Sequence, residues 1–359
     1  MWDVVVIGAG MAGIAAAQQL QGQGHRVLVL EKSRGLGGRL ATRRVDNQPI
    51  DHGCRFFQAS DATEPELIQR LLQAEILAPW RPIHYDLTTT GQLHRTNSHT
   101  YYVAPLGMTA VAKFLAAGLE IQRLCRVTRL TLEGPTWKID WQNTLGITAT
   151  TESRSVIAAI PAPQIMPLLR QAGQHRAMAP LLQTLERITL EPVVTVMAGY
   201  PPEAIPQPPG STESSRGESL HPGGWMICGQ DHSALRWVGL DSSKRLNPTQ
   251  AVVVLHSTPG FAAPFLGADQ VASGGQALLE VAQASLGSWF TLPAWHQTHR
   301  WRYGFVHRTL QEPWLGHDDV PQFKACGDWC LGSNVEAAFR SGQKAAEAMA
   351  QALTQPAAE

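Results

Sequence analysis

Cysteine is scarce in this chain of 359 residues: there are five, and no two stand in a C-x-x-C spacing. Zinc sites and disulfide frameworks need closer or paired spacings, so no metal is expected, and five free thiols in a reducing cytoplasm are. An excess of charge of one sign is also missing, because 29 Lys plus Arg balance 29 Asp plus Glu. No run of five or six like charges occurs. Nucleic acid and anionic membrane surfaces call for a basic field that is absent overall, which leaves small molecules as the expected partners. No uninterrupted apolar stretch reaches the ~18 residues of a membrane span. A strand begins within three residues of Met1, leaving no room for a secretory leader, so a soluble cytoplasmic protein is expected. Finally, no convincing Ser-His-Asp set, paired carboxylates or metal cluster stands out.

What is present is a large apolar content, 44% hydrophobic against 16% charged. That composition belongs to a globular chain with a substantial core, and the length suggests two domains. Val4-Val5-Val6-Ile7 is a β-branched run suited to a parallel strand buried on both faces. Gly8, Gly10 and Gly13 follow in G-x-G-x-x-G spacing. The first permits a tight turn, the second lets a pyrophosphate approach the backbone, and the third lets the next helix pack against the strand. An alanine-rich helix, Ile14 to Leu20, leads to a second strand, His25 to Leu30, with Glu31 at its tip. A carboxylate about 20 residues past the glycines meets an adenosine ribose hydroxyl and repels a 2′-phosphate. The expected ligand is therefore FAD or NAD.

Lys32 to Arg39 is a basic, glycine-rich loop, too irregular for helix or strand, whose amides and arginines suit a pyrophosphate. Glu66 to Leu77 has helical periodicity, and Pro105 to Ala117 opens another helix. Arg126 to Leu132, Thr136 to Trp141 and Ser155 to Ile160 read as a β-meander inserted into the nucleotide domain. Antiparallel strands are expected at Val193 to Gly199, Gly224 to Cys228, Leu235 to Leu240 and Ala251 to Ser257. The Pro-, Gly- and Ser-rich stretch 201–224 is expected to be a mobile surface loop. Gln270 to Leu286 is helical, and Arg300 to Phe305 is a strand returning to the first domain. Phe323 to Cys326 is a short strand ending at Gly327-Asp328, before a helix from Asn334 to Leu353. The fold class is α/β: a Rossmann-type domain (1–60, 105–165 and 300–359) with a β-meander insertion, and a second α+β substrate domain (61–104 and 166–299) built on an antiparallel sheet.

A chain that opens on a dinucleotide turn and closes on strand, Gly-Asp and helix can complete one site from both ends. Asp328 would accept hydrogen bonds near a ribityl chain. The start of the last helix, at Ser333, Asn334 and Val335, would turn free amides and a positive dipole end toward a reduced flavin. Asn334 serves equally well as a plain N-cap. His52, His84 and His299 are candidates to touch substrate, although lone histidines are more often hydrogen-bonded structural residues. Phe56, Phe57, Trp225, Trp237, Trp301 and Tyr303 are candidate walls of a flat pocket, with ordinary core as the alternative for each. Lys244 is a candidate electrostatic partner or an exposed turn lysine. Cys326 and Cys330 invite a covalent flavin link or a redox disulfide, but buried thiols are usually inert.

Gly8 to Gly13, Glu31, Gly38-Arg39, the Asp51-x-Gly53 turn and Gly327-Asp328 with Glu336, Ser341 and Gly342 resemble the FAD-binding set of the flavin amine oxidase superfamily. Within it, Lys32-Ser33-Arg34-Gly35 through Arg39, Ala162-Pro163-Gln164, Ser242-Ser243-Lys244, His299-Arg300-Trp301 and Cys326 to Cys330 resemble bacterial renalases. Three departures are His52 to Phe56, Gly332-Ser333-Asn334 and the long proline-rich loop. The resemblance implies noncovalent FAD held by Gly8, Ala9, Gly10, Met11, Ala12, Gly13, Glu31, Lys32, Gly38, Arg39, Gly53, Cys54, Arg55, Phe56, Val127, Asp328, Asn334 and Val335. It also implies oxidation of the 2- and 6-dihydro isomers of NAD(P)H to NAD(P)+, with O2 as acceptor giving H2O2. No protein acid or base is needed for that step. The alternatives are an amine oxidase or desaturase-like enzyme of the same superfamily, and a non-catalytic FAD-binding partner protein.

Overall fold

The computed structural model describes residues 1–59, 66–97, 99–172, 178–209 and 224–354. Most of the expected loop 201–224 therefore lies outside the described residues. The chain forms two compact units, each assembled from separate segments: Met1–Leu40, Val111–Leu190 and Val306–Glu359 in the first, Ala41–Ala110 and Glu191–Phe305 in the second.

In the first unit, strand Trp2–Ile7 lies between two parallel neighbours, with Val5 opposite Leu28 on one side and Val156 on the other. Val4, Val5 and Val6 are wholly buried, as a β-branched run on a two-sided sheet requires. Strand Ile121–Arg123 extends one edge beside Val27–Glu31. The long strand Thr148–Ala158 does two jobs. Its first half closes an antiparallel meander with Thr136–Asn143 and Cys125–Glu133, and its second half pairs in parallel with Val320–Ala325. The meander insertion thus appears as expected. It also brings a strand from the end of the chain into the sheet that the first strand began.

On one face of this sheet the first helix, Met11–Gly22, packs against the last, Val335–Thr354. The two approach so closely that a Cβ at Gly342 would stand 2.1 Å from the carbonyl oxygen of Ala12. On the other face, helices Ala162–Gln171 and Met178–Glu186 bury Ile165, Leu169, Leu181 and Leu185 with Trp137 and Phe323.

The second unit holds a seven-stranded sheet, in the order Trp295–Arg308, Thr189–Tyr200, Ala251–Ser257, Leu235–Leu240, Trp225–Gly229, Ile83–Leu87 and Leu93–Thr96. Its last strand, Trp295–Arg308, runs past Phe305 into the first unit's sequence. Trp225–Gly229 and Ile83–Leu87 run parallel, whereas the pairs around Ala251–Ser257 and Leu235–Leu240 are antiparallel. Helix Val271–Leu286 packs one face through Leu278, Leu279 and Ala282. The other carries Met197, Met226, Trp237, Val252 and Val254 against Ile50, Trp80 and Tyr101.

Four expectations are corrected. The helix expected over 66–77 spans Glu66–Gln73, because Glu75 turns left-handed at φ 56° and breaks it. The helix expected from Pro105 spans Thr109–Leu115, because Gly107 at φ 95° must turn first. Inside the loop Lys32 to Arg39, a 3₁₀ turn begins at Gly38. Domain boundaries shift as well: 41–60, 105–110 and 300–305 belong to the second unit, and 166–190 to the first. The segment 41–60 leaves because Thr42–Val45 and Gln48–Asp51 form a hairpin whose Asp51 is anchored within the second unit.

Candidate cofactor and substrate sites

The nucleotide turn is built from contacts that exclude side chains. A Cβ at Gly8, where φ is 101°, would lie 2.7 Å from the Ala159 carbonyl oxygen, and one at Gly13 would lie 1.9 Å from that of Gly8. Gly10, by contrast, faces open space and begins the first helix with no side-chain cap. Amides at Met11 and Ala12, which the helix itself leaves without acceptors, therefore border an open approach suited to an anion. The glycine-rich loop closes over this turn. Gly37 donates its amide to the Ala9 carbonyl at 2.8 Å and bridges Gly10.

Glu31 is buried, and its carboxylate accepts the amides of Ala9 and Ser33, each at 2.7 Å. A carboxylate offers about four acceptor sites, so capacity remains for ribose hydroxyls. Lys32 reaches Gln164 at 3.4 Å, and Val127 is a buried residue of the meander.

The chain's other end supplies the rest. Arg39 donates to Asp328 at 2.6 Å, a link across 289 residues, and Asp328 also receives the Trp329 amide. Ser341 accepts the Gly327 amide at 3.0 Å and donates to the Pro313 carbonyl, fixing the Gly-Asp corner to the last helix. Asn334 accepts the Ala337 amide at 2.7 Å, so its side chain is the N-cap of that helix. Two residues on, Glu336 has a buried carboxylate oxygen without a hydrogen-bond partner among the described residues, and burial pushes its pKa up. An uncapped helix start at an open glycine, a ribose acceptor with spare capacity and an orphaned buried carboxylate all fit a dinucleotide.

Four residues expected beside the cofactor, Gly53, Cys54, Arg55 and Phe56, fall in the second unit. The guanidinium of Arg55 there lies 5.1, 5.5 and 5.9 Å from the ring centroids of Phe56, Trp237 and Phe305. Phe56 in turn stacks near Tyr101 at 4.3 Å. Arg236 sits 3.8 Å over Phe305 and pairs with Glu191.

The pocket-wall candidates divide. Phe57, Trp225 and Trp237 are core residues, at most 1% exposed, and Trp225 spends its indole N–H on the Pro206 carbonyl. Trp301 and Tyr303 are only partly buried. Trp301 donates to the His52 carbonyl at 2.9 Å, and its ring lies 5.5 Å from that of His52 and 4.4 Å from that of His299. Two of the three candidate histidines are thus brought together. Burial lowers both to about 4, reinforced by Arg43 at His52 and by His52 and Arg43 at His299, so they are neutral at pH 7. His84 stands elsewhere, with Cys228 at 3.2 Å and Asp86 at 3.6 Å. Donor atoms of these three lie within 4.8 Å of one another. The cationic Arg55 acting on Cys228 works against a divalent ion there.

Lys244 is corrected from an exposed turn to a fully buried position. Its ammonium binds Asp241 at 2.9 Å and lies 5.3 and 5.4 Å from the rings of Trp80 and Trp237. Asp241 also pairs with Arg245 at 2.6 Å, and Arg245 reaches Asp51 at 2.8 Å. This four-charge network escaped the sequence reading. Its one local signal was Asp241-Ser242-Ser243-Lys244-Arg245, whose charges at i, i+3 and i+4 meet on a single helical turn. All five cysteines are free, and burial raises Cys326 well above its ordinary value and Cys330 to about 12. Neither is a reactive thiolate.

No helix among the described residues is long and apolar enough to cross a membrane. The family profile described as flavin containing amine oxidoreductase matches residues 83–350, and that of an NAD(P)-binding Rossmann-like domain matches residues 6–73. A Mycobacterium tuberculosis protein carrying the name flavin-containing monoamine oxidase AofH is 44% identical over 84 residues, 23% of this chain and 17% of that protein. The match therefore spans under a fifth of that curated relative. Among solved structures, cyclohexylamine oxidase from Brevibacterium oxydans superposes with a TM-score of 0.71 at 14% identity, covering 99% of this chain and 100% of that one. A redesigned putrescine oxidase gives 0.69 at 16% identity, with 98% and 99% covered. At such identities the likeness is one of fold. Together with the nucleotide turn, the family match makes FAD the cofactor.

Proposed function

We propose, from the premise that this chain belongs to the flavin-containing amine oxidoreductase family, that it oxidises the 2- and 6-dihydro isomers of NAD(P)H to NAD(P)+. When bound, FAD supplies the two-electron acceptor and passes the electrons to O2, giving H2O2. It is held noncovalently by Gly8 to Gly13, Glu31, Lys32, Gly38, Arg39, Asp328 and the start of the last helix. The protonated state of Cys326 and Cys330 favours that over a thioether.

The observation that carries the reading is the electrostatic character of the second unit's aromatic cluster. The partly buried Phe56 and Phe305 are interleaved with Arg55 and Arg236, and the buried Trp80, Tyr101, Trp237 and Lys244 adjoin them. Of the nearby acids, Asp241 is paired with Lys244 and Arg245, Asp51 with Arg245 and Glu191 with Arg236, while Asp86, which acts on Tyr101, is held by Gln230 and His84. An ammonium substrate would meet like charge there, whereas an anionic dinucleotide with a flat ring would meet complementary charge and stacking faces. His52 and His299, neutral at pH 7, add no requirement for proton transfer. Hydride loss from a dihydropyridine needs none, because restoring the aromatic ring drives it. The protein's part is to bind, orient and exclude water.

A second reading, oxidation of a primary amine or polyamine, draws support from the substrates named for the cyclohexylamine and putrescine oxidases of the same fold. Oxygen-electrode assays with borohydride-reduced NAD, then with primary amines and polyamines, separate the two. Oxygen uptake and stoichiometric peroxide with the dihydro isomers alone supports the first, and uptake with amines alone replaces it by the second.

A further inference from the structure

Arg55 stands out among the cations of the second unit. Arg236, Lys244 and Arg245 each lie against a carboxylate, at 3.3, 2.9 and 2.6 Å. Arg55 pairs with none among the described residues. What surrounds it is aromatic: Phe56, Trp237 and Phe305, at 5.1 to 5.9 Å. Ring faces compensate a guanidinium only in part for the water it gives up. The nearest acidic groups are thiols and a phenol, Cys54, Cys228 and Tyr101. Burial pushes Cys228 up and Tyr101 to about 12, so those two supply no counter-charge at neutral pH. Arg236 adds repulsion. A guanidinium fork held by ring faces and without a carboxylate among the described residues has the geometry to take an oxyanion, because planar N–H pairs match the oxygens of phosphate or carboxylate.

We propose that Arg55 is the anchor for an oxyanion carried by the substrate, and that this anchor selects an anionic substrate over a cationic amine. The proposal rests on the dinucleotide reading above and deepens it: the anion would be a phosphoryl group of the pyrophosphate. A carboxylate shares the same fork chemistry, and the experiment distinguishes the two. Phe56, Trp237 and Phe305 would hold the guanidinium in place, so that little side-chain entropy is lost on binding.

Holoenzyme is titrated calorimetrically, in dilute salt, with inorganic pyrophosphate, with benzoate and with neutral benzamide. Binding of pyrophosphate weakened ~10–100-fold in Arg55→Gln, with Arg55→Lys intermediate, establishes a phosphoryl anchor, since a charge-assisted hydrogen bond is worth that much. The same loss for benzoate alone makes it a carboxylate anchor. If neither anion binds wild-type enzyme, or if both bind Arg55→Gln as tightly as wild type, the proposal is overturned. Should Arg55→Gln not fold, Arg55→Lys and the wild-type titrations still decide, because benzamide binding as well as benzoate, with no pyrophosphate binding, also overturns it. In turnover of the dihydro isomers, Arg55→Gln should raise KM ~10–100-fold and leave kcat within ~3-fold. An enzyme inert toward those isomers that still binds either anion through Arg55 would sink the dinucleotide reading and keep the anchor. Turnover with unchanged KM and anion affinity in Arg55→Gln would do the reverse.

Discussion

Replacing Arg245 by Met tests the buried charge network most sharply. Side chains of Asp51 and Asp241 are wholly buried, and Lys244 and Arg245 balance them. Arg245 donates to Asp51, Asp241 and the Ala104 carbonyl. Asp51 would keep Thr42 and the Met108 amide, and Asp241 would keep Lys244, but one negative charge would lose compensation. Breaking a buried pair from one side costs about 3–5 kcal/mol. At about 2–4 °C per kcal/mol, the second unit's thermal midpoint should fall by ~6–20 °C. The pH dependence has a definite direction. Burial alone would raise the Asp241 pKa, but Arg245 and Lys244 outweigh it and hold it below its ordinary 3.8. Its stabilisation is therefore complete above that value and is lost as pH falls through the lower folded one. The gap between variant and wild type should narrow below about pH 4. Calorimetric scans across pH check both statements, and adding Asp51→Asn should recover part of the loss. A fall under about 2 °C, unchanged by pH, would refute this account of the network.

Glu31→Ala removes the acceptor of two backbone amides, so the purified protein should retain far less flavin, measured as flavin-to-protein absorbance ratio, while its second unit melts normally. Gly342→Ala places a Cβ 2.1 Å from the Ala12 carbonyl, which forces the two helices apart; we expect a cost of about 1–3 kcal/mol by urea titration, with weakened flavin retention. His52 and His299 are lowered to about 4 by burial, so the unfolded chain binds protons that the folded one refuses. Stability should accordingly decline as pH drops from about 6.5 toward 4, and His52→Gln should flatten that decline in denaturant titrations.

The nucleotide unit was legible because its signals are local: a β-branched run, three glycines with distinct steric duties, and a carboxylate at a fixed offset. Every expected strand has a counterpart: Leu235–Leu240 and Ala251–Ser257 match to the residue, Val27–Glu31 and Trp225–Gly229 are shifted by one or two, and Thr148–Ala158, Thr189–Tyr200 and Trp295–Arg308 extend well beyond the stretches expected. The Thr42–Asp51 hairpin was missed because its turn, Asp46-Asn47, takes two positive φ values without a glycine to announce them. Boundaries between the units were misjudged because they depend on long-range pairs such as Asp51 with Arg245, 194 residues apart. The same holds for the second unit's aromatic cluster. Arg55 and Phe56 read as part of a glycine turn, and only the fold brings Trp237 and Phe305 to them. Lys244 looked exposed because a charged turn usually is, and its burial depends on Asp241 being aimed at it.

Anaerobic mixing tests most directly whether the bound flavin takes hydride from a misreduced nicotinamide. Holoenzyme combined without oxygen with the 2- and 6-dihydro isomers of NAD should lose its oxidised flavin absorbance in a single rapid phase and release one NAD+ per flavin. Flavin that stays oxidised with both isomers, yet is bleached by a primary amine or polyamine, would contradict the account.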